Sequence, residues 1–381
     1  MPGASYLRPL LERFYRRRDR WLGDPAFHRA ALRFAPARWL ARRRARELFD
    51  ITTGFVYSQV LAACVELDLF ERLASGPVST AVLAEESGLP REALSRLLAA
   101  ASELRLLQRW GPEVWRLGDL GAASRGSPGI AAMVRHHHHL YADLAEPLQL
   151  LRDRSSSRLG AYWHYAGQPG ESEAANAEQY SELMARSQSF VADDVLSQLA
   201  LWDRQRLLDV GGGSGVFAVE ALQRFPGLRA TVFDLPDVAA LAARRLANAG
   251  LMDRGEAVAG NMFEDALPGG ADVVSLVRIL HDHDDEPVRR LLASVRAAIR
   301  GDGLLVIAEP MAETPAAPGV GAYFHLYLWA MRSGQPRSAA RLRELLVEAG
   351  FADVRELPSY QPLLVRILTA RPGLRSTDKQ A

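Results

Sequence analysis

Three stretches of the 381-residue chain hold side chains with chemistry to offer. The first is Leu207-Leu208-Asp209-Val210-Gly211-Gly212-Gly213-Ser214-Gly215, an acid and then glycines, set where an apolar strand-like run gives way to a helical run from Val216. Glycines there let the backbone turn tightly and come close to a ligand. In Thr231-Val232-Phe233-Asp234-Leu235-Pro236 the next apolar run ends on Asp234, 19 residues beyond Gly215, where a carboxylate can accept both hydroxyls of a ribose. Loop and acid together point to an adenosine-containing cofactor. Acidic Asp209 precedes the glycines, and no helix N-terminus is reserved for a pyrophosphate. That suits a ligand with an ammonium group and no phosphate, S-adenosylmethionine rather than a nicotinamide dinucleotide. A bare strand-to-helix turn is the plainer reading of the same glycines.

The second stretch, Arg278-Ile279-Leu280-His281-Asp282-His283-Asp284-Asp285-Glu286, crowds titratable groups just past another apolar run. His281 is the candidate general base, because imidazole titrates near neutral pH and can take a hydroxyl proton as a methyl group arrives. A His-Asp-His-Asp run also has the look of a divalent-metal site, but no matching ligand cluster stands elsewhere in the chain, so no metal is expected. The third stretch, Leu305-Val306-Ile307-Ala308-Glu309-Pro310, ends on an acid that can orient His281 through its second ring nitrogen.

Parallel strands would bring these groups to one edge. Arg206–Val210, Arg229–Phe233, Glu256–Ala259, Asp272–Leu276 and Leu304–Ala308 read as short apolar strands, several of them separated by helical stretches. The expected fold class is therefore α/β, a doubly wound parallel sheet with helices on both faces and ligands at the carboxyl ends of its strands. Upstream, Glu47 to about Leu73 reads as one long helix. Ser79-Thr80 caps a short helix, Arg91–Leu104 forms another, and two β-like pieces, Leu106–Arg109 and Val114–Leu117, follow. Helix, turn, helix and wing is a winged-helix order. Between Gly76 and Gly118 five Arg are matched by five acids, a poor partner for phosphates, so no nucleic acid is expected and a packing or dimerisation role is preferred.

The net charge of +1 conceals a segregation: residues 1–46 hold thirteen Arg against three acids, +10, and the remainder is −9. A chain 48% hydrophobic and 24% charged reads as soluble and globular. Its single cysteine, Cys64, fits a reducing compartment. There is no signal-peptide core and no unbroken run near eighteen apolar residues. The expected localisation is cytoplasmic, without a spanning segment.

These motifs, in this order and joined by the glycine-led Gly260-Asn261-Met262-Phe263, resemble the small-molecule O-methyltransferases that pair a winged-helix dimerisation domain with a Rossmann-like S-adenosylmethionine domain. The resemblance covers roughly Glu47 to Ala370. It implies a helical winged-helix dimerisation domain over 47–185, a methyltransferase domain over 186–371 and a homodimer; the charge pattern adds a basic arm over 1–46, and a tail over 372–381 closes the chain. It also implies that Asp209, Gly211, Gly213, Asp234, Leu235, Asn261, Met262, Arg278 and Ser187 hold S-adenosylmethionine, that His281 is the base and that Glu309 positions it. Met184, in Tyr180-Ser181-Glu182-Leu183-Met184, would cover the substrate. The chain departs from the family pattern at Asn261, usually Asp, at His283, usually Trp, and at Pro336, usually a second Glu near the base. More narrowly, the Arg42–Phe70, Met133–Arg152 and Ala322–Ser338 stretches resemble bacterial carotenoid 1-hydroxyl O-methyltransferases of the demethylspheroidene type. That implies a hydrophobic hydroxyl acceptor on an acyclic carotenoid, facing Tyr323, Tyr327 and Met331; a phenol or polyketide acceptor is the alternative, and a non-catalytic winged-helix regulator a further one. The aromatic, Arg-rich 1–46 segment suggests peripheral contact with the inner membrane surface, or an arm wrapping the partner subunit.

Overall fold

The computed structural model describes residues 4–162, 188–315 and 317–373. They form two compact units, Met1–Ala123 and Ser124–Ala381.

The first unit begins with three helices, α1 (Ala4–Leu22), α2 (Pro25–Arg33) and α3 (Ala35–Glu66). Asp24 starts α2 by accepting the Ala26 N–H at 2.8 Å, with Pro25 at the first helical position. The helix expected from Glu47 thus starts twelve residues earlier, because the Ala- and Arg-rich run before it is itself a good helix former. It stops at Asp68, whose left-handed backbone (φ 50°) separates it from α4 (Leu69–Arg72). By length and average composition α3 is long and apolar enough to cross a membrane, although no unbroken apolar run of that length exists. The winged-helix part follows: β1 (Val78–Ser79), α5 (Thr80–Ser87), α6 (Arg91–Glu103), β2 (Leu107–Gly111) and β3 (Val114–Leu117), with sheet order β1-β3-β2. Ser79 caps α5, Gly88 ends it in a left-handed turn, and the buried Trp115 indole donates to the Thr80 hydroxyl at 2.8 Å. The short helix α7 (Asp119–Arg125) follows β3.

The second unit opens with helices α8 (Pro128–Leu144), α9 (Pro147–Arg152), α10 (Arg158–Tyr162) and α11 (188–197). Then strands and helices alternate: β4 (Arg206–Val210), α12 (Val216–Arg224), β5 (Arg229–Asp234), α13 (Pro236–Asn248), β6 (Gly255–Ala259), β7 (Ala271–Val277), α14 (Asp285–Ala298) and β8 (Ile299–Glu309). After α15 (Pro318–Ala330) and α16 (Ala339–Glu348) come β9 (Phe351–Leu357) and β10 (Arg366–Pro372). The seven strands lie in the order β6-β5-β4-β7-β8-β10-β9. The five expected strands are parallel, whereas β10 runs antiparallel to β8 and to β9. This closing hairpin escapes a reading based on βα alternation.

Neighbouring residues serve opposite faces, as the period of a strand requires. Leu207, Val273 and Val306 pack with Phe217, Leu222 and Leu246 on one side; Leu208, Val274 and Leu305 pack with Leu291, Leu292 and Leu345 on the other. Every residue of β7 is buried, as befits a central strand covered on both faces. The chain builds outward from β4 through β5 to β6, then returns to place β7 on the other flank of β4. That reversal opens a crevice at the carboxyl ends of β4 and β7.

At the opposite end the buried Asp272 carboxylate accepts the N–H groups of Gln205 (3.0 Å) and Arg206 (2.9 Å) and pairs with Arg300 at 3.0 Å. It locks the starts of β4, β7 and β8 together. Asp272→Ala leaves two backbone donors unpaired and should cost about 2–4 kcal/mol, read as a lower urea midpoint at unchanged denaturant slope.

Candidate active site

Four groups stand at the carboxyl edge of the sheet because four strands end there: Asp209 on β4, Asp234 on β5, Arg278 just past β7 and Glu309 on β8. Arg278 sits in a left-handed conformation (φ 61°), which turns the chain sharply into a single 3₁₀ turn, Leu280–Asp282. Buried Glu309 holds that turn. One carboxylate oxygen accepts the N–H groups of Ile279 (2.9 Å) and Leu280 (2.7 Å); the other meets Nδ1 of His281 in a short hydrogen bond. The opposite ring nitrogen, Nε2, lies 3.3 Å from Oδ1 of Asp282. The sequence suggested one supporting acid where the family pattern has two. The structure supplies the second from the adjacent residue, a placement visible only once the backbone turns.

Burial works against a charged His281 ring, but Asp282 and Glu309 outweigh it and raise its pKa above the ordinary imidazole value. Burial also pushes the Asp282 carboxyl up, against the pull of His281. His283 is brought down to about 4, first by burial and then by the nearby His281 charge, so its ring is neutral at physiological pH. It packs edge-on to Phe263, centroids 4.7 Å apart, and gives the crevice an aromatic pair where the family pattern has one Trp.

Two elements that sequence reasoning missed brace this turn from behind. The buried Arg337 guanidinium donates to the carbonyls of Leu280 (2.6 Å) and His283 (2.7 Å) and to Asp285 at 2.9 Å. Beside it, the Gln335 N–H donates to the His281 carbonyl at 2.9 Å, and Gly334 approaches so closely that a Cβ would collide with that same oxygen. Gly334 has φ +86° as well. Pro336 is buried between these two contacts. The Gly-x-Pro-Arg spelling is the signal that identifies this brace, where attention to the missing Glu conceals it.

At the glycine loop, Asp234 accepts the N–H groups of Gly213 and Leu235, each at 2.8 Å, which fixes the loop against the end of β5. Gly213 (φ 59°) faces open space, whereas Gly211 (φ 65°) is pressed against Ile279. Asp209 is wholly buried: Oδ1 accepts the Ser275 hydroxyl at 2.6 Å, and Oδ2 has no partner among the described residues. Burial pushes its carboxyl up to about 7, with the nearby Asp234 adding to the rise and Ser275 opposing it. Asn261 caps its own turn, its side-chain carbonyl accepting Phe263 N–H at 3.0 Å, and Met262 is half-buried beside it. The carboxyl ends of β4 and β5 thus offer an open glycine and a fixed acid, with an unpartnered carboxyl oxygen buried beside Gly212, groups that could hold a cationic adenosine-containing ligand.

Helix α15 forms a further wall. Phe324 meets the His281 ring edge-on at 5.7 Å, and Tyr323 stacks on Tyr327 at 5.2 Å. Their hydroxyls are within hydrogen-bond reach of α8 imidazoles, Tyr323 of His137 at 2.9 Å and Tyr327 of His136 at 3.0 Å. Tyr327 and Met331 are buried in a cluster with Leu140, Leu150 and Leu159, while Tyr323 and Phe324 form its edge. The structure therefore places Tyr323 beside Phe324, the ring that meets His281, and sets Tyr327 and Met331 deeper in packing. Met184 and Ser187 lie outside the described residues.

The chain belongs to the O-methyltransferase family. Residues 141–352 match the model of the O-methyltransferase domain and residues 49–123 that of the O-methyltransferase dimerisation domain. Among named relatives, demethylspheroidene O-methyltransferase of Cereibacter sphaeroides is 40% identical over 358 residues, 93% of this chain and 94% of the relative. The Rhodobacter capsulatus enzyme of the same name is 38% identical over 375 residues, 98% and 93%. Among solved structures, mitomycin 7-O-methyltransferase aligns with a TM-score of 0.73 at 27% identity, covering 88% of this chain and 99% of that one. Human N-acetylserotonin methyltransferase, solved in complex with S-adenosylmethionine, gives 0.72 at 26% identity, covering 87% and 98%.

Two outcomes follow from this geometry. Gly334→Ala combines a left-handed backbone with a collision at the His281 carbonyl and should cost about 2–4 kcal/mol in a urea titration. For Asp209, a folded pKa of about 7 against an unfolded 3.8 means its contribution to stability is full at acidic pH and is lost as pH rises through 7. The cofactor-free Asp209→Asn protein should therefore gain stability relative to wild type between pH 5.5 and 8, read from paired denaturation midpoints.

Proposed function

We propose that the chain is an S-adenosylmethionine-dependent O-methyltransferase that methylates a tertiary hydroxyl of an acyclic carotenoid and works as a homodimer through its 49–123 segment. The observation carrying this reading is the near full-length similarity, at 38–40% identity, to two demethylspheroidene O-methyltransferases. The cofactor pocket is proposed to be the glycine loop with Asp209, Asp234, Leu235, Asn261 and Met262, closed by the His283–Phe263 ring pair. Arg278, whose charge is felt by both His281 and Tyr323, is proposed to stand at its mouth.

S-Adenosylmethionine, when bound, supplies the methyl group and the positive charge that activates it. The chain's own work is to align the acceptor oxygen and remove one proton. His281 Nε2 takes that proton, and Glu309 on Nδ1 holds the ring in the tautomer that can accept it. A tertiary alcohol is far less acidic than a phenol, so its proton leaves only as the oxygen gives up electron density to the methyl carbon. A raised His281 pKa favours that late transfer. Phe324 and Tyr323 offer an apolar, aromatic wall to a polyene.

The test is product mass after incubation with S-adenosylmethionine and a hydroxylated acyclic carotenoid, with a naphthoic-acid phenol as competitor. Gain of one methyl group on the carotenoid alone is expected; methylation of the phenol alone sinks the substrate assignment. His281→Ala should lower turnover by about a hundredfold or more while cofactor binding, followed by calorimetry, stays within a few-fold. Near-normal turnover would overturn the role given to His281.

A further inference from the structure

No residue from 8 to 46 is buried, although α1, α2 and the start of α3 run through the segment. Its large apolar side chains are nonetheless arranged. On α1, Leu10, Leu11, Phe14 and Trp21 fall on one helical face and are 49–62% exposed. Arg13, Arg16, Arg17 and Arg20 recur at i, i+3, i+4 and i+7 and form a second stripe beside it. The turn into α2 extends the apolar face, since Phe27 stacks on Trp21 at 6.2 Å. Guanidinium groups lie over the aromatic rings, Arg17 over Trp21 at 5.0 Å, Arg18 over Tyr15 at 4.6 Å and Arg43 over Trp39 at 5.8 Å.

We propose that residues 4–46 are an interfacial anchor that lies on an anionic lipid surface. The match is one of charge and depth. A bilayer edge presents phosphate-bearing headgroups directly above an apolar boundary, and this segment presents a guanidinium stripe directly beside Phe and Trp side chains. A second copy of the chain is the weaker occupant. The segment carries +10, so two such arms repel, and the dimerisation match begins only at residue 49, beyond it. The proposal does not depend on the identity of the methyl acceptor.

Flotation of the full-length protein tests it without reading methyl transfer. The vesicles are phosphatidylcholine with about one-third phosphatidylglycerol, and phosphatidylcholine alone, at roughly 0.1 M and 0.5 M salt. The protein should float with the anionic vesicles at low salt, stay down with neutral ones and be released at high salt. The variant Arg13→Glu/Arg16→Glu/Arg17→Glu/Arg20→Glu should lose at least about tenfold in bound fraction, with helix content and sedimentation mass unchanged. Three results overturn the anchor. The first is equal flotation of wild type and variant, including the salt-resistant kind that a spanning α3 would give. The second is no flotation of wild type. The third is a fall in the variant's sedimentation mass, which assigns the arm to the partner subunit.

Discussion

The active-site edge depends on one buried carboxylate. Glu309 ends β8 in a buried position, so its two oxygens must find partners within the protein, and they find them in a turn and a ring. The N–H groups of Ile279 and Leu280 reach it only because Arg278 adopts a left-handed backbone and throws the chain across the end of β8. A charge-assisted hydrogen bond to a fixed imidazole is among the strongest a side chain can make. The strain at Arg278, about 1–2 kcal/mol for a non-glycine residue, is offset by it. Remove the carboxylate and the turn, the ring orientation and the mouth of the crevice all lose their common support. Arg337 serves the same turn from the opposite side, donating to carbonyls where Glu309 accepts from N–H groups.

Asp209 and Asp282 show a second use of burial. Each is a carboxyl group in a place that disfavours its ionised form: burial raises both, opposed by the Ser275 hydroxyl at Asp209 and by the neighbouring His281 ring at Asp282. A buried carboxyl is poorly solvated without positive charge nearby. The imidazole supplies that charge for Asp282, whereas Oδ2 of Asp209 has no partner among the described residues.

How much was legible beforehand follows from which interactions are local. The five parallel strands were readable because each is a short apolar run, and β4 falls at the residues its composition indicated. Asp209, Asp234 and Glu309 were readable because a strand end is a sequence position as much as a spatial one. The closing hairpin of β9 and β10 was not, since β9 alternates irregularly and its pairing with β10 depends on partners that sequence spacing does not reveal. The brace at Gly334–Arg337 was hidden for the same reason: it meets His281 from more than fifty residues away. The His136–His139 run is a further case. Internal and flanked by helical sequence, it gives no metal reading, and its partners are just as distant: in the fold two of its imidazoles, held neutral by burial, pair with the tyrosines of α15.

That pairing also bears on the character of α15. Two phenol oxygens and two imidazole nitrogens meet in pairs, so each of these four polar atoms has a partner inside the protein. Tyr323, Phe324 and Tyr327 pack ring against ring, and Phe324 carries that packing on to the His281 ring. A flexible aliphatic lining would give similar burial with less definition, because each Leu or Met retains rotamers that stacked, hydrogen-bonded rings do not. Stacked rings that continue through Phe324 to the His281 imidazole therefore give this end of α15 one defined surface rather than a set of interchangeable ones.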